Sequence, residues 1–394
     1  MKRLSYILKS SKLLYDVFFF VMSALLKLLG VFVGNDDKLI LFNSYGGKKY
    51  DDSPKSIYEH ILTDSRFDEF KLVWALQEPE KSHVPGRGQV IKADSFKYFV
   101  TALKARVWIT NSSMERGLDF KKKRTLCFNT WHGTPIKVMG VDIKEENQSF
   151  RSRVLVRADI MSAQSQYDID VFSHAFQLPA SRFRMTGLPR NDALSSYTEE
   201  QVNEIKERLE IEKGKTVLLY APTFREYTKG SSNEVILDIP IDLSHWQVVL
   251  GEKYIILFRA HYEVAKHMNL AGFPLFRDMS DYPDLNELMI VSDALISDYS
   301  SIYFDYSIMH KPMYCFAYDY QEYTDNRGMY LNLKEELPCT IHQNENDLIR
   351  QLLNINEERA ELSLKAEQFQ KKYVTEHGHG AEKSCDILAE LINS

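Results

Sequence analysis

From residue 38 onward, short apolar runs recur along the chain, each followed by a polar or amphipathic stretch. "KLILFNS", "FKLVWAL", "ARVWITN" and "TLCFNTW" are continuous in hydrophobicity rather than alternating. A strand reads this way when both faces of its sheet are covered by helices, as in parallel sheets. The pattern predicts a doubly wound α/β domain whose strands end near "FRMTGLPRNDAL", with "TLCFNTW" as its last buried strand. Next comes "SSYTEEQVNEIKERLEIEKGK", highly charged, opened by Ser/Thr caps, and expected to run as a helix between domains. A second βα series follows: "TVLLYAPTF", "KYIILFRAH", "PLFRDM", "ALISDYS" and "PMYCFAY". The stretch "ENDLIRQLLNINEERAELSLKAEQFQKKYV" is helical by period. The expected division is a helical segment over 1–34, a first α/β domain over 35–195 and a second over 196–394. Two such halves would face a cleft at the carboxyl ends of their sheets, where open α/β folds bind ligands.

The first 34 residues follow a different pattern. Lys2, Arg3, Lys9 and Lys12 precede an apolar run from Leu13 to Val33, with no small-x-small cleavage site before Asn35. Three placements fit: a helix lying in the headgroup region of an anionic leaflet, a helix packed on the protein's own core, or a span. Asp16 and Lys27 interrupt the run and weigh against the span. The interfacial placement is favoured, because basic residues flank a surface rich in Phe and Leu.

Bulk properties narrow the class without changing this outline. A length of 394 residues exceeds one ordinary core, and 44% hydrophobic with 26% charged residues is a globular composition. The net charge of −6 excludes a protein built to coat nucleic acid. Cys127, Cys315, Cys339 and Cys385 are scattered, without CxxC or nearby His at ligand spacing, so they read as buried or free thiols.

Candidate chemistry gathers just past strand ends. In "CFNTWHGTPIKVMG", His132 sits directly before the tight turn Gly133, Thr134, Pro135, with Lys137 close behind. In the second half Thr223 and Arg225 follow "LLYAP", and Arg259 and His261 follow "YIILF". Asp298, Ser300 and Ser301 lie in "SDYSS". An arginine beside a buried strand end is costly unless paired, so a bound anion is a natural partner for Arg225 and Arg259. Ser300 or Ser301 would cap a helix whose free N–H groups suit a phosphate. "HGHG" at 377–380 lacks companion ligands for a metal. "KKKR" at 121–124 is a charge run that suits solvent or anionic lipid. Neither GxGxxG after a first strand nor GxxxxGK[ST] is present, which leaves NAD binding and P-loop hydrolysis without support.

Five motifs in order, "NTWHGTPIK", "TGLPRND", "YAPTFR", "FRAHY" and "ISDYSSIYFDY", resemble the CDP-glycerol glycerophosphotransferase family over about residues 38 to 330. That resemblance implies a GT-B-like pair of Rossmann-like domains, an acceptor domain followed by a CDP-donor domain, in a peripheral enzyme of the cytoplasmic membrane face. It implies CDP-glycerol as donor and a lipid-linked saccharide or polyol phosphate as acceptor. His132 and His261 take the places of the site histidines. Thr223, Arg225, Arg259, Asp298, Ser300 and Ser301 are the donor-phosphate or nucleotide candidates, with Gly133, Thr134, Lys137 and Arg190 secondary. Cytidine recognition is expected near "GLPRND" or "APTFR". "HGHGAEKS" stands where the family often has an acidic Asp-Gly-Lys-Ala-Ser type stretch, and the long extra domain of the large polymerases is absent from this sequence. In the expected chemistry an acceptor hydroxyl attacks the β-phosphorus and expels CMP, with imidazole as base. No metal or other cofactor is required by this scheme. The rival readings are a CDP-ribitol transferase, a nucleotide-sugar glycosyltransferase or epimerase, and a membrane-docked scaffold with an inactive site.

Overall fold

The computed structural model describes residues 11–143, 156–223, 225, 239–260, 270 and 272–393. These form two compact units, one spanning Met1–His132, Met139–Asp192 and Glu376–Ser394, the other Gly133–Val138 and Ala193–Thr375.

The first unit is built on seven parallel strands: β1 (Asp36–Asn43), β2 (Lys71–Leu76), β3 (Gln89–Lys92), β4 (Ala105–Thr110), β5 (Leu126–Asn129), β6 (Ile160–Ala163) and β7 (Phe183–Met185). Their order is β3-β2-β1-β4-β5-β6-β7. The continuous apolar runs are explained by two cores, one on each face. Leu41, Val73 and Trp108 pack with Tyr98, Ala102 and Leu103 of the helix Phe96–Lys104. Ile40, Phe42, Trp74, Val107 and Ile109 point the other way, onto Ile57, Tyr58 and Ile61 of the helix Asp52–Ile61. Neighbouring residues of one strand therefore serve opposite cores.

Two features differ from the sequence reading. "TLCFNTW" is β5 and not the last strand, since β6 and β7 continue the sheet. Both β6 and β3 are four residues of mixed polarity and carry little apolar signal. The C-terminal helix Gly380–Asn393 belongs to this unit rather than to the second half of the chain. Its Cys385 and Leu388 enter the core beside Ile57 and Tyr58, and burying the leucine alone contributes about 1.5–3 kcal/mol. Asp192 anchors its start by accepting from the N–H groups of Gly380 and Ala381 at 2.7 and 2.8 Å. A side chain at Gly380 would meet the backbone of Pro189 at 2.8 Å, so only glycine fits that approach.

The N-terminal helix Lys12–Phe32 also packs on this unit, along one face. Ser23, Leu26 and Gly30 are buried, and Ser23 Oγ accepts from Asp119 N at 3.0 Å. Lys27, which interrupts the apolar run, pairs with Asp119 at 2.6 Å. Lys122 Nζ donates to the carbonyl of Val33 at 2.8 Å. Within "KKKR", Lys121 pairs with Asp159 and Arg124 with Asp37, so three of its four cations already have protein partners. The helix's other face is apolar and exposed: Leu13, Val17, Phe20, Leu28, Val31 and Phe32 all stand out, Phe32 at 79%.

The second unit holds six parallel strands: β8 (Thr216–Ala221), β9 (Tyr254–Phe258), β10 (Phe276–Asp278), β11 (Ala294–Ser297), β12 (Met313–Phe316) and β13 (Ile341–His342). Their order is β10-β9-β8-β11-β12-β13. The two-residue β13 has no sequence signature. The charged stretch forms a helix, Glu199–Arg208, held by a reciprocal Thr198–Gln201 capping box. The long C-terminal helical run is interrupted at Asn354, giving Glu345–Leu353 and Ile355–Tyr373. All four cysteines are buried and free.

Candidate active site

His132 is placed by the way the chain leaves β5. Asn129 donates Nδ2–H to the Ser112 carbonyl at 2.9 Å, and its Oδ1 accepts from Trp131 N at 2.8 Å. The bend leaves Trp131 at φ +52°, a left-handed conformation costing about 1–2 kcal/mol for a non-glycine residue. Trp131 repays this by packing on Phe172 and Phe176 and stacking on the His132 ring, 4.2 Å between centroids. Gly133 follows at φ +144°, where a side chain would be strained. The imidazole is fixed at its other edge, with Nδ1 2.8 Å from the Asn111 carbonyl oxygen. A carbonyl only accepts, so Nδ1 carries the proton and Nε2 keeps a lone pair. Burial lowers the pKa of His132, partly offset by the Asn111 carbonyl and the Asp52 carboxylate. The ring is a neutral base at pH 7.

Asp52, Tyr45 and Arg190 support this histidine. Arg190 Nη1 donates to the His132 carbonyl at 2.9 Å and to Asp52 Oδ2 at 2.8 Å. Asp52 also accepts from the Tyr45 hydroxyl. Burial would raise the Asp52 pKa, but Arg190 and Tyr45 outweigh it and hold the carboxyl below its usual range. Arg190, a secondary candidate in the sequence, thus braces the backbone of His132. Sequence reading missed Tyr45, Asp52 and Asn111. The strand-end rule that found His132 would have found them if applied to β1 and β4, where "NSYGG" and "TNSS" follow.

In the second unit the picture changes most at Arg225. The residue is 1% exposed. It donates to Asp298 Oδ2 at 2.8 Å and in a bidentate pair to Asp319 at 2.7 and 3.0 Å. The rings of Tyr299, Tyr318 and Tyr323 surround it at 4.8, 5.2 and 5.1 Å. The anion that the sequence required is therefore internal, and Asp319 is its unforeseen part. Asp298 is equally committed, since its Oδ1 also accepts from the N–H groups of Thr223 and Tyr299. These bonds hold the strand-end loop in place. Arg259 gives Nη1–H groups to the carbonyls of Met279 and Tyr282. Thr223 Oγ1 is buried and has no hydrogen-bond partner among the described residues. Ser300 Oγ accepts from Ile302 N at 3.2 Å, and Ser301 is the cap residue without a side-chain cap bond. The helix they open, Ile302–Ser307, is only six residues long.

The segment after His132 belongs to the second unit by its contacts. Lys137 forms an antiparallel bridge with Met329, Tyr330 N donates to Ile136 O at 2.8 Å, and Arg327 Nη1 donates to Val138 O at 2.7 Å. Thr134 is buried. Gly133, Thr134 and Lys137 are thus grouped apart from His132 itself. His261 lies outside the described residues. His379 pairs with Glu382 at 3.2 Å, and no cluster among the described residues could hold a metal ion.

Two consecutive parallel-sheet α/β units with polar groups at their strand ends define the GT-B-like class. A structure of the UDP-N-acetylglucosamine 2-epimerase type from Listeria monocytogenes shares this fold, at 12% identity and TM-score 0.54 over 91% of this chain and 98% of that one. The profile of the CDP-Glycerol:Poly(glycerophosphate) glycerophosphotransferase family matches residues 25–389, and the chain belongs to that family. The teichoic acid poly(glycerol phosphate) polymerase of Staphylococcus epidermidis is 32% identical over 366 residues, 89% of this chain and 50% of the relative. The chain thus spans about half the length of that polymerase. The teichoic acid glycerol-phosphate transferase of Staphylococcus aureus is also 32% identical, over 89% of this chain and 92% of its own. A solved structure of the wall teichoic acid polymerase TagF matches at TM-score 0.86 and 30% identity, covering 97% of each chain.

Proposed function

We propose that the protein transfers glycerol phosphate from CDP-glycerol to a hydroxyl of a lipid-linked saccharide or polyol-phosphate acceptor, releasing CMP, in the synthesis of teichoic acid or a related surface polymer. The observation that carries this reading is the His132 imidazole, tethered through Nδ1 to the Asn111 carbonyl. In the step it serves, the acceptor oxygen bonds to the β-phosphorus of the donor. The bond from that phosphorus to the CMP oxygen breaks, and the hydroxyl proton passes to Nε2. The reading also draws on family membership and on the TagF structure obtained after a soak with CDPG. Thr223, Ser300 and Ser301 are assigned to the donor phosphates, and His261 to the same site by its motif. Arg225 is enclosed by Asp298 and Asp319, and Arg259, Lys137 and His261 are the candidate cations of a metal-free scheme.

The test is direct. Purified protein, a lipid-linked acceptor and CDP-glycerol should give CMP, with UDP-sugars inert and chelation by EDTA without effect. Relatives named as ribitol-phosphate primase or polymerase match at 27–32% identity, so CDP-ribitol belongs in the same assay. Absence of CMP from both CDP-polyols would overturn the assignment.

The N-terminal helix is assigned to the anionic cytoplasmic leaflet, lying in its headgroup region. Its outward apolar face and the flanking basic residues Lys2, Arg3, Lys9 and Lys12 fit that surface. Removing residues 1–34 would also uncover the core beneath Leu26, so a face-selective change is the cleaner experiment. The double substitution Phe20→Glu, Phe32→Glu should abolish pelleting with phosphatidylglycerol vesicles and leave the melting temperature unchanged. Equal pelleting would refute the assignment.

A further inference from the structure

Three residues with strained backbones surround His132. Tyr45, Asp52 and Trp131 have φ of +49°, +64° and +52°, the left-handed region that side chains avoid. Aspartate visits that region for local hydrogen bonds, whereas bulky tyrosine and tryptophan do so rarely. Trp131 stacks on the imidazole, and the Tyr45 ring lies 5.8 Å from it between centroids. Asp52 accepts from the Tyr45 hydroxyl and, through the same Oδ2, from Arg190 Nη1 at 2.8 Å. Strain of this kind persists where the surroundings over-determine it, and it collects at sites of function.

Arg190 fixes the base and also opposes its chemistry. Its Nη1 holds the His132 carbonyl at 2.9 Å. The same guanidinium is a permanent cation near a ring that must itself become one. When Nε2 takes the acceptor's proton the imidazole turns into imidazolium, and like charges away from water repel strongly. The Nδ1–H of the ring meets the Asn111 carbonyl, which brings no negative charge to offset either cation. Asp52 brings one. It is 7% exposed, with Ser53 N donating to its Oδ1 at 2.6 Å, so solvent screens its field little.

The charges that act on the ring come from two places. Asp52 opens the helix Asp52–Ile61, and Arg190 follows β7. Their fields have opposite signs: Asp52 favours the protonated imidazole and Arg190 disfavours it. Asn111 after β4 and Trp131 after β5 are uncharged. Tyr45 stays a neutral phenol, because burial and the Asp52 carboxylate push its pKa up. It therefore orients Asp52 without adding a charge. Its own backbone is tied to the same support, with Tyr45 N donating to Asn111 Oδ1 at 2.8 Å.

We propose that Asp52 is a positioning residue of the transfer: it neutralises the arginine that clamps His132, so that the buried base can hold the acceptor's proton. This rests on the transfer reaction proposed above. Asp52→Asn keeps the shape and an acceptor for Tyr45 and Ser53, and removes the charge. Its kcat should fall about 10- to 100-fold, the worth of one charge-assisted hydrogen bond, with both KM values within about twofold of the parent's. The acid limb of kcat/KM should move to lower pH, since the ring loses the field that favours its protonated form. The double variant Asp52→Asn, Arg190→Gln should bring that limb back toward the parent's, because the opposing cation leaves as well. Arg190→Gln alone should move it to higher pH, and these two variants isolate the Asp52 charge if the single Asn variant folds poorly. NMR titration of His132 in the full chain with isotope-labelled histidine reads the same midpoints without turnover. The His132 signal is the one absent from His132→Ala. A midpoint lowered in Asp52→Asn and restored in the double variant supports the inference even if CDP-glycerol yields no CMP, in which case only the reaction assignment fails. A midpoint unmoved by Asp52→Asn, or lowered equally in both, would overturn it, as would a raised KM with kcat intact.

Discussion

Replacing His132 by alanine is expected to lower turnover by about 10²–10⁴-fold, the usual worth of a general base, with the protein still folded. The structural loss is small: one hydrogen bond to Asn111 and a stack on Trp131. The acid limb of activity should also move. Burial depresses the imidazole pKa, so kcat/KM in the parent should stay on its plateau through pH 7 and fall only below the ordinary histidine range of about 6.5. The same shift has a stability consequence of definite sign. Below about pH 6.5 the unfolded chain binds this proton more readily than the native one, so native stability is lost as pH falls through the depressed value. The alanine variant should lack that component of acid sensitivity. Turnover within a few-fold of the parent would remove His132 from the chemistry, and would favour the scaffold reading.

Replacing Arg225 by methionine should destabilise the second unit by about 3–5 kcal/mol, because buried Asp298 and largely buried Asp319 lose the guanidinium between them. Asp298 is 2% exposed, and three tyrosine rings close around the same charge. Burial opposes the charge of Arg225, but Asp298 and Asp319 outweigh it and raise its pKa. Lysine should restore only part of the loss, since it lacks the fork that binds Asp319 through Nε and Nη2. Adding Asp298→Asn and Asp319→Asn to Arg225→Met should recover stability that neither change recovers alone. Urea unfolding measures all three. A donor-phosphate arginine, as the sequence reading expected, would behave in the opposite way, with the KM for CDP-glycerol raised and unfolding unchanged.

This contrast shows what local pattern carries. Arg225 is recognisable in the sequence as an arginine at a buried strand end that needs an anion, and that much was right. Which anion it takes depends on Asp298 and Asp319, 73 and 94 positions away, and no local pattern reports them. His132 was legible because its turn, Gly133-Thr134-Pro135, is written in adjacent residues. Asn111 was not, because its role comes from lying beside β5 in the sheet.

By itself the sequence determined that this is a two-unit parallel α/β protein, and it picked out His132 at a strand end as the candidate base. Those properties come from runs and turns of neighbouring residues, where burial on both faces forces continuous apolar strands. Only the tertiary structure decided that the C-terminal helix closes the first unit, that the N-terminal helix packs one face and exposes the other, and that Arg225 meets Asp298 and Asp319. Those outcomes depend on which distant surfaces and charges meet, and desolvation penalises an unpaired charge without regard to where along the chain its partner lies.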